Sequence, residues 1–194
     1  MAMPAPTTEW TLEMLHALPD DGKRYELVDG ELLVSPAPEL AHQWLVADLQ
    51  VLLRAFARTA GGMDAVTAPV AITFSHQREL QPDIVVLPLV SGRRPQHFSE
   101  TGRAVLVVEV LSPSTARFDR VTKRRVYQEH GVPEYWIVDP EARLVERWRP
   151  EDERPEVTTT TLSWTPPGSD QHFTIDLDAL FRDATGTRAD RRDR

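Results

Sequence analysis

The chain has 194 residues, 41% hydrophobic and 27% charged, which fits one globular domain with short extensions and excludes a chain that needs staples to fold. It has no cysteine, which excludes disulfides, a thiol nucleophile and thiolate-built zinc or iron–sulfur sites. The net charge of −8 argues against a general nucleic-acid coat protein, which would be basic.

Residues 1–20 read as a leader with one short amphipathic helix around Thr8–Leu18. Residues 1–10 lack both the basic start and the apolar run of a signal peptide, and no stretch reaches the ~20 apolar residues that span a bilayer. A cytoplasmic location is therefore expected. Tyr25–Val28 and Glu31–Val34 flank Asp29-Gly30, a strong hairpin-turn signal. Ser35–Pro38 breaks the second run. From Glu39 to about Thr59 the spacing of Leu45, Leu49, Leu52, Leu53 and Phe56 predicts a helix, ended by Gly61-Gly62.

Three β-like runs follow: Ala65–Phe74, with Pro69 marking an edge or a bulge, then Asp83–Leu87 and Ala104–Leu111. The last two are nearly continuous apolar runs, as in strands covered on both faces. Residues 91–103 form a polar loop. A helix starts at Ser114 or Thr115 and runs to about His130, with Gly131 at its end. Glu134–Val138 is a further strand, Asp139-Pro140 a turn, and Leu144–Trp148 pairs back on it. Residues 149–170 are an acidic, Thr- and Pro-rich surface excursion. Phe173–Phe181 is a last short strand or helical turn, and 183–194 a disordered tail. This order predicts a single α/β domain over residues 21–182, a mixed sheet with helices against it.

Two acids stand inside apolar strands. Asp83 opens one after Gln81-Pro82, and Glu109 shares a strand face with Val105, Val107 and Leu111. A buried carboxylate costs several kcal/mol unless paired or bound to a cation. Two on successive strands repel each other, and a divalent ion relieves both costs; oxygen ligands suit Mg²⁺ or Mn²⁺. The alternative is a pair of carboxylates satisfied by backbone donors or an arginine. Charge is also uneven along the chain: residues 93–130 carry eight basic and four acidic side chains, leaving room for a phosphate-bearing partner. The chain uses 20 arginines and only two lysines, Lys23 and Lys123, so a retained lysine draws attention.

Pro82-Asp83, then Glu109 on the next strand, then a lysine, resembles the pattern of the PD-(D/E)xK nuclease superfamily. Several segments more narrowly resemble its restriction endonuclease family of Uma-two type: Tyr25–Leu32, Ser35–Pro38 with His42, Gln81–Asp83, Glu109–Thr115 and Gly131–Asp139. The likeness spans roughly residues 22–148. It implies a restriction-endonuclease-like core of helix, three strands, helix and strand behind an N-terminal hairpin. It also implies a metal-dependent DNA endonuclease. Asp83 and Glu109 would ligate Mg²⁺ or Mn²⁺, with the carbonyl of Val110, and a water would attack the phosphodiester in line. The superfamily lysine belongs two residues after the glutamate, where Leu111 stands; the family resemblance moves that role to Lys123 on the following helix. The plain reading of Lys123 is a helix-surface pair with Asp119.

Glu31 could complete the metal site from the hairpin, ahead of Glu26. His42 falls on the sheet-facing side of the long helix, as a phosphate contact, a proton relay or a rim histidine. Arg117, Arg120, Arg124 and Arg125 could meet DNA phosphates or simply face water, and Tyr135 and Trp136 read as core. Cutting both strands takes two sites, so a homodimer is consistent with the resemblance. A non-catalytic nucleic-acid-binding or regulatory module on the same fold is the alternative, and a phosphoesterase acting on a small substrate in a closed pocket is a third reading.

Overall fold

The computed structural model describes residues 9–184 and Gly186. A short helix α1 (Leu12–His16), capped by the Thr11 hydroxyl, leads into a hairpin of β1 (Arg24–Val28) and β2 (Glu31–Ser35). Asp29 and Gly30 both take positive φ, +51° and +81°, which the tight turn between these strands requires. Helix α2 (Leu40–Ala60) follows, and Gly61 at φ +75° stops it.

The predicted run Ala65–Phe74 is two strands in two sheets. β3 (Met63–Thr67) ends before the cis Ala68–Pro69 bond, and β4 (Ile72–Ser75) turns back on β5 (Arg78–Leu80), a short strand that hydrophobic pattern alone did not reveal. β6 (Ile84–Pro88) and β7 (Leu106–Val110) carry the two apolar runs. Beyond β7 come α3 (Ala116–Phe118), a π-helical turn (Asp119–Lys123) and α4 (Arg124–Glu129). β8 (Tyr135–Asp139) and β9 (Leu144–Trp148) follow. The Thr-rich excursion holds β10 (Glu156–Thr158) and β11 (Thr161–Trp164), which pairs with β12 (Phe173–Asp176). Helix α5 (Leu177–Ala184) closes the fold, so the expected tail does not begin at 183; Thr185 and residues 187–194 lie outside the described residues, as do residues 1–8 of the leader.

The central sheet has six strands in the order β10-β9-β8-β7-β6-β3, with only β7 and β8 parallel. The helical segment between those two strands is the crossover that parallel pairing demands. A second sheet, β2-β1-β5-β4, stands beside it. One face of the central sheet packs Ile84, Val86, Leu106, Val108 and Trp136 against Leu45, Leu49 and Leu53 of α2 and against Phe181 of α5. The other packs Val85, Val107, Tyr135 and Ile137 against Val126 and Tyr127 of α4 and Val28 of the hairpin. Each such aliphatic side chain stabilises the fold by about 1.5–3 kcal/mol on burial. Covering both faces explains why β6 and β7 read as unbroken apolar runs. Glu109 is the exception on the second face.

Candidate active site

Where β7 ends, the chain turns through Leu111–Thr115 and leaves a cleft of about 500 Å³. Its walls are the β7 end, the start of α2, the Ser35–Glu39 break, Arg24 of β1 and the π-turn. Asp83, Glu109, Val110, Lys123 and His42 all line this one cleft. Glu31 does not: it is exposed at the start of β2, and the hairpin carboxylate that reaches the buried centre is Glu26.

Asp83 enters between Pro82 and β6. Its Oδ1 accepts from Arg24 Nη2 at 2.8 Å. Its Oδ2 accepts the Val110 N–H at 2.8 Å and lies 3.1 Å from His42 Nε2. His42 Nε2 is also 3.0 Å from the Val110 carbonyl, which can only accept, so Nε2 carries the proton. Burial alone would raise the Asp83 pKa; the His42 hydrogen bond, Arg24 and the Val110 amide outweigh it and hold the carboxyl well below the usual range.

Lys123 sits beneath, 2% exposed. Its Nζ is 2.9 Å from Glu109 Oε1, 3.1 Å from Glu26 Oε1 and 3.3 Å from Asp119 Oδ1. The pair with Asp119 is therefore one arm of a buried cage and not a helix-surface pair. Glu26 Oε1 is anchored by the Gln81 N–H at 2.7 Å, and the Tyr127 hydroxyl donates to Glu109 Oε1 at 3.2 Å. Asp119 and Lys123, four apart and both buried, bound a π-helical turn, a feature that recurs at functional sites. Burial would lower the Lys123 pKa, but Glu109, Glu26 and Asp119 raise it well above the usual lysine value, so it is a fixed cation. Glu109 goes the other way from Asp83: burial lifts it well above the ordinary glutamate value, against the pull of Lys123.

Leu111 is buried in the second core cluster, and the ammonium that reaches Glu109 is that of Lys123 on the crossover helix. The arginines of that helix are largely engaged. Arg120 holds Asp139 and Glu146, each at 2.7 Å; Arg125 holds Asp29 at 2.7 Å; Arg124 lies 4.6 Å above the Trp148 ring. Arg117 is exposed, two residues beyond the cleft wall at Thr115. Tyr135 and Trp136 are buried core residues. Sequence reasoning missed Arg24, which no periodicity marks, and gave Asp119 only a helix-pair role.

Among the described residues, no group of three or more His, Asp or Glu side chains is arranged to hold a metal. The donors that fit a hard cation are two carboxylates, Asp83 and Glu109, and the Val110 carbonyl, all in the cleft wall. The charge ledger fits as well. Four buried carboxylates, Glu26, Asp83, Glu109 and Asp119, meet two fixed cations, Arg24 and Lys123. Burial raises the pKa of Glu109 and Asp119, so protons or a divalent ion would offset the excess.

The family described as "Uma2: Putative restriction endonuclease" matches residues 12–177. The chain belongs to the Uma2 family. Its fold is also that of a solved protein, a "putative nuclease belonging to DUF820" from Anabaena variabilis, with a TM-score of 0.72. That chain is 22% identical, and the alignment covers 90% of this chain and 99% of that one. The mixed α+β, restriction-endonuclease-like architecture is thus shared by this Uma2 protein. No curated protein matches it significantly. Among the described residues, no helix is long and apolar enough to cross a membrane.

Proposed function

We propose that this Uma2 protein is a metal-dependent endonuclease that hydrolyses DNA phosphodiester bonds. The observation that supports this most is the cleft itself, where buried carboxylates outnumber fixed cations and three of them, Asp83, Glu109 and Asp119, line an open volume of about 500 Å³. Asp83, Glu109 and the Val110 carbonyl would hold Mg²⁺ or Mn²⁺, which when bound polarises a phosphate and acidifies a water. Lys123 keeps its proton, so it acts as a fixed positive charge against the phosphate oxygens and not as a base. It also holds Glu109 and Asp119 in place. His42 fixes Asp83 and the Val110 carbonyl relative to each other. A duplex has two strands, so the proposal includes a homodimer acting in the cytoplasm; sedimentation velocity checks the dimer.

The test is nicking of supercoiled plasmid with Mg²⁺ or Mn²⁺. Wild type should nick, and Asp83→Ala, Glu109→Ala and Lys123→Ala should not. Cleavage that survives Asp83→Ala would sink the site. No cleavage by wild type on any DNA form would favour a non-catalytic module.

A further inference from the structure

We propose that Arg24 is a substrate-operated gate on the metal site: it holds Asp83 while the cleft is free of DNA and moves to a phosphodiester oxygen when one enters. The inference rests on the proposed metal site and goes beyond it, because it assigns a role to a residue outside the ligand set.

The geometry carries the argument. Arg24 opens β1, lines the cleft, and its guanidinium donates to Asp83 Oδ1 at 2.8 Å. Asp83 Oδ2 is already committed to His42 and the Val110 amide. Oδ1 is therefore the oxygen left to meet a cation, and a guanidinium stands on it. Two positive centres that close in a low-dielectric cleft repel strongly. Arg24 and a bound metal thus compete for the same atom.

The competition is one that substrate can resolve. A guanidinium pairs with phosphate in the same fork geometry it uses for carboxylate. The side chain is 19% exposed and points into open volume, so it has somewhere to turn. When Arg24 leaves, Asp83 keeps both donors on Oδ2 and offers Oδ1 free. Lys123 cannot play this part, because its ammonium is held by three carboxylates under the cleft floor. The consequence is reciprocal: a phosphodiester tightens metal binding, and metal tightens phosphodiester binding.

The experiment measures Mn²⁺ affinity by the electron paramagnetic resonance signal of free Mn²⁺, with no DNA present. It compares wild type, Arg24→Met, Arg24→Gln and Asp83→Asn, each checked for a native melt. A second series adds dimethyl phosphate, a phosphodiester monoanion that resists hydrolysis. The expected result is Mn²⁺ binding at least tenfold tighter in both Arg24 variants than in wild type. Dimethyl phosphate should tighten Mn²⁺ binding to wild type at least fivefold and to the Arg24 variants by less than half that factor. Equal or weaker Mn²⁺ binding by the Arg24 variants overturns the gate while leaving the metal site standing. So does phosphate coupling that survives undiminished without Arg24. Mn²⁺ binding unchanged in Asp83→Asn, or absent from wild type and both Arg24 variants, overturns the metal site and the gate with it.

Discussion

The central sheet carries two ionic clusters, one that reaches the surface and one that is buried, and they are built on opposite rules. At its β8–β9–β10 side, Glu134 accepts from Arg147 at 2.7 Å and from the Trp136 indole at 2.7 Å, while Glu156 meets Arg147 and Arg149 at 3.3 and 3.2 Å. Two acids face two arginines, and the group closes on itself. At the β7 end, four carboxylates face two cations around an open cleft. A balanced cluster asks for nothing from outside. An acidic excess in a buried place persists only if a proton or a cation comes to it. The first cluster locks strands together, and the second waits for a charge.

The largest expected effect comes from removing that excess. Asp83→Asn and Glu109→Gln keep volume and remove a carboxylate charge. The amide of Glu109→Gln can still accept from Lys123 and Tyr127, while that of Asp83→Asn loses one of the acceptors that Arg24, His42 and the Val110 amide use. Each should cut plasmid cleavage about 10³-fold or more, read as kcat/KM on a labelled oligonucleotide. Lys123→Met should cost about 10²-fold in cleavage and, because it strands three carboxylates, about 3–5 kcal/mol of stability in urea unfolding. Adding Glu26→Gln to Lys123→Met should recover part of that stability and none of the cleavage.

Arg147→Met is the matching lesion in the balanced cluster. It should cost about 2–3 kcal/mol in urea unfolding by leaving Glu134 with only the looser Arg149 contact at 3.7 Å, yet cleavage well below the melting point should stay within a factor of two. If cleavage fell as far as in Lys123→Met, the division between the two clusters would be wrong. The pH dependence separates them further. Glu109 has a folded pKa above its unfolded one, so its contribution favours folding at low pH and is lost as pH rises through the raised value. Asp83 is depressed, so its contribution is present above the ordinary aspartate value and is lost as pH falls. The metal-free protein should therefore lose melting temperature as pH rises above the ordinary glutamate value through the raised one. Mn²⁺ should remove that slope, and Glu109→Gln should flatten it without metal.

Much of this site is legible in the sequence because it sits on the strongest local patterns. Asp83 and Glu109 stand out as charges in apolar runs, and Lys123 as a lysine in an arginine-rich chain. What alternation and helical spacing do not carry is depth. β5 is three residues long and exists only by pairing with β1 and β4, so no periodicity announces it. β10 and β11 lie in Thr-rich text; β10 buries no residue and β11 alternates over only four, too few to outweigh the prolines. Arg24 is an ordinary polar residue at a strand start until β6 brings Asp83 to it, 59 positions away.

Glu31 against Glu26 shows the same limit and gives the smallest predicted effect. In the hairpin, Glu26 pairs with Leu33 and Glu31 with Val28. Residues opposite each other, and residues two apart on a strand, share a face. Both glutamates therefore lie on one face, and the face cannot choose between them. The strand does: Glu31 stands on β2, the edge of its sheet, and is exposed although Val28 opposite it on β1 is buried, whereas Glu26 lies on β1, flanked by β2 and β5. Glu26 stays over the crossover helix and reaches Lys123. Glu31→Gln should thus change neither cleavage by more than about twofold nor stability by more than about 0.5 kcal/mol. Glu26→Gln, with its oxygen still able to accept the Gln81 N–H, should lower cleavage roughly tenfold by loosening Lys123, with KM little changed. A large loss in Glu31→Gln would mean that the hairpin tip folds over the cleft when DNA is bound.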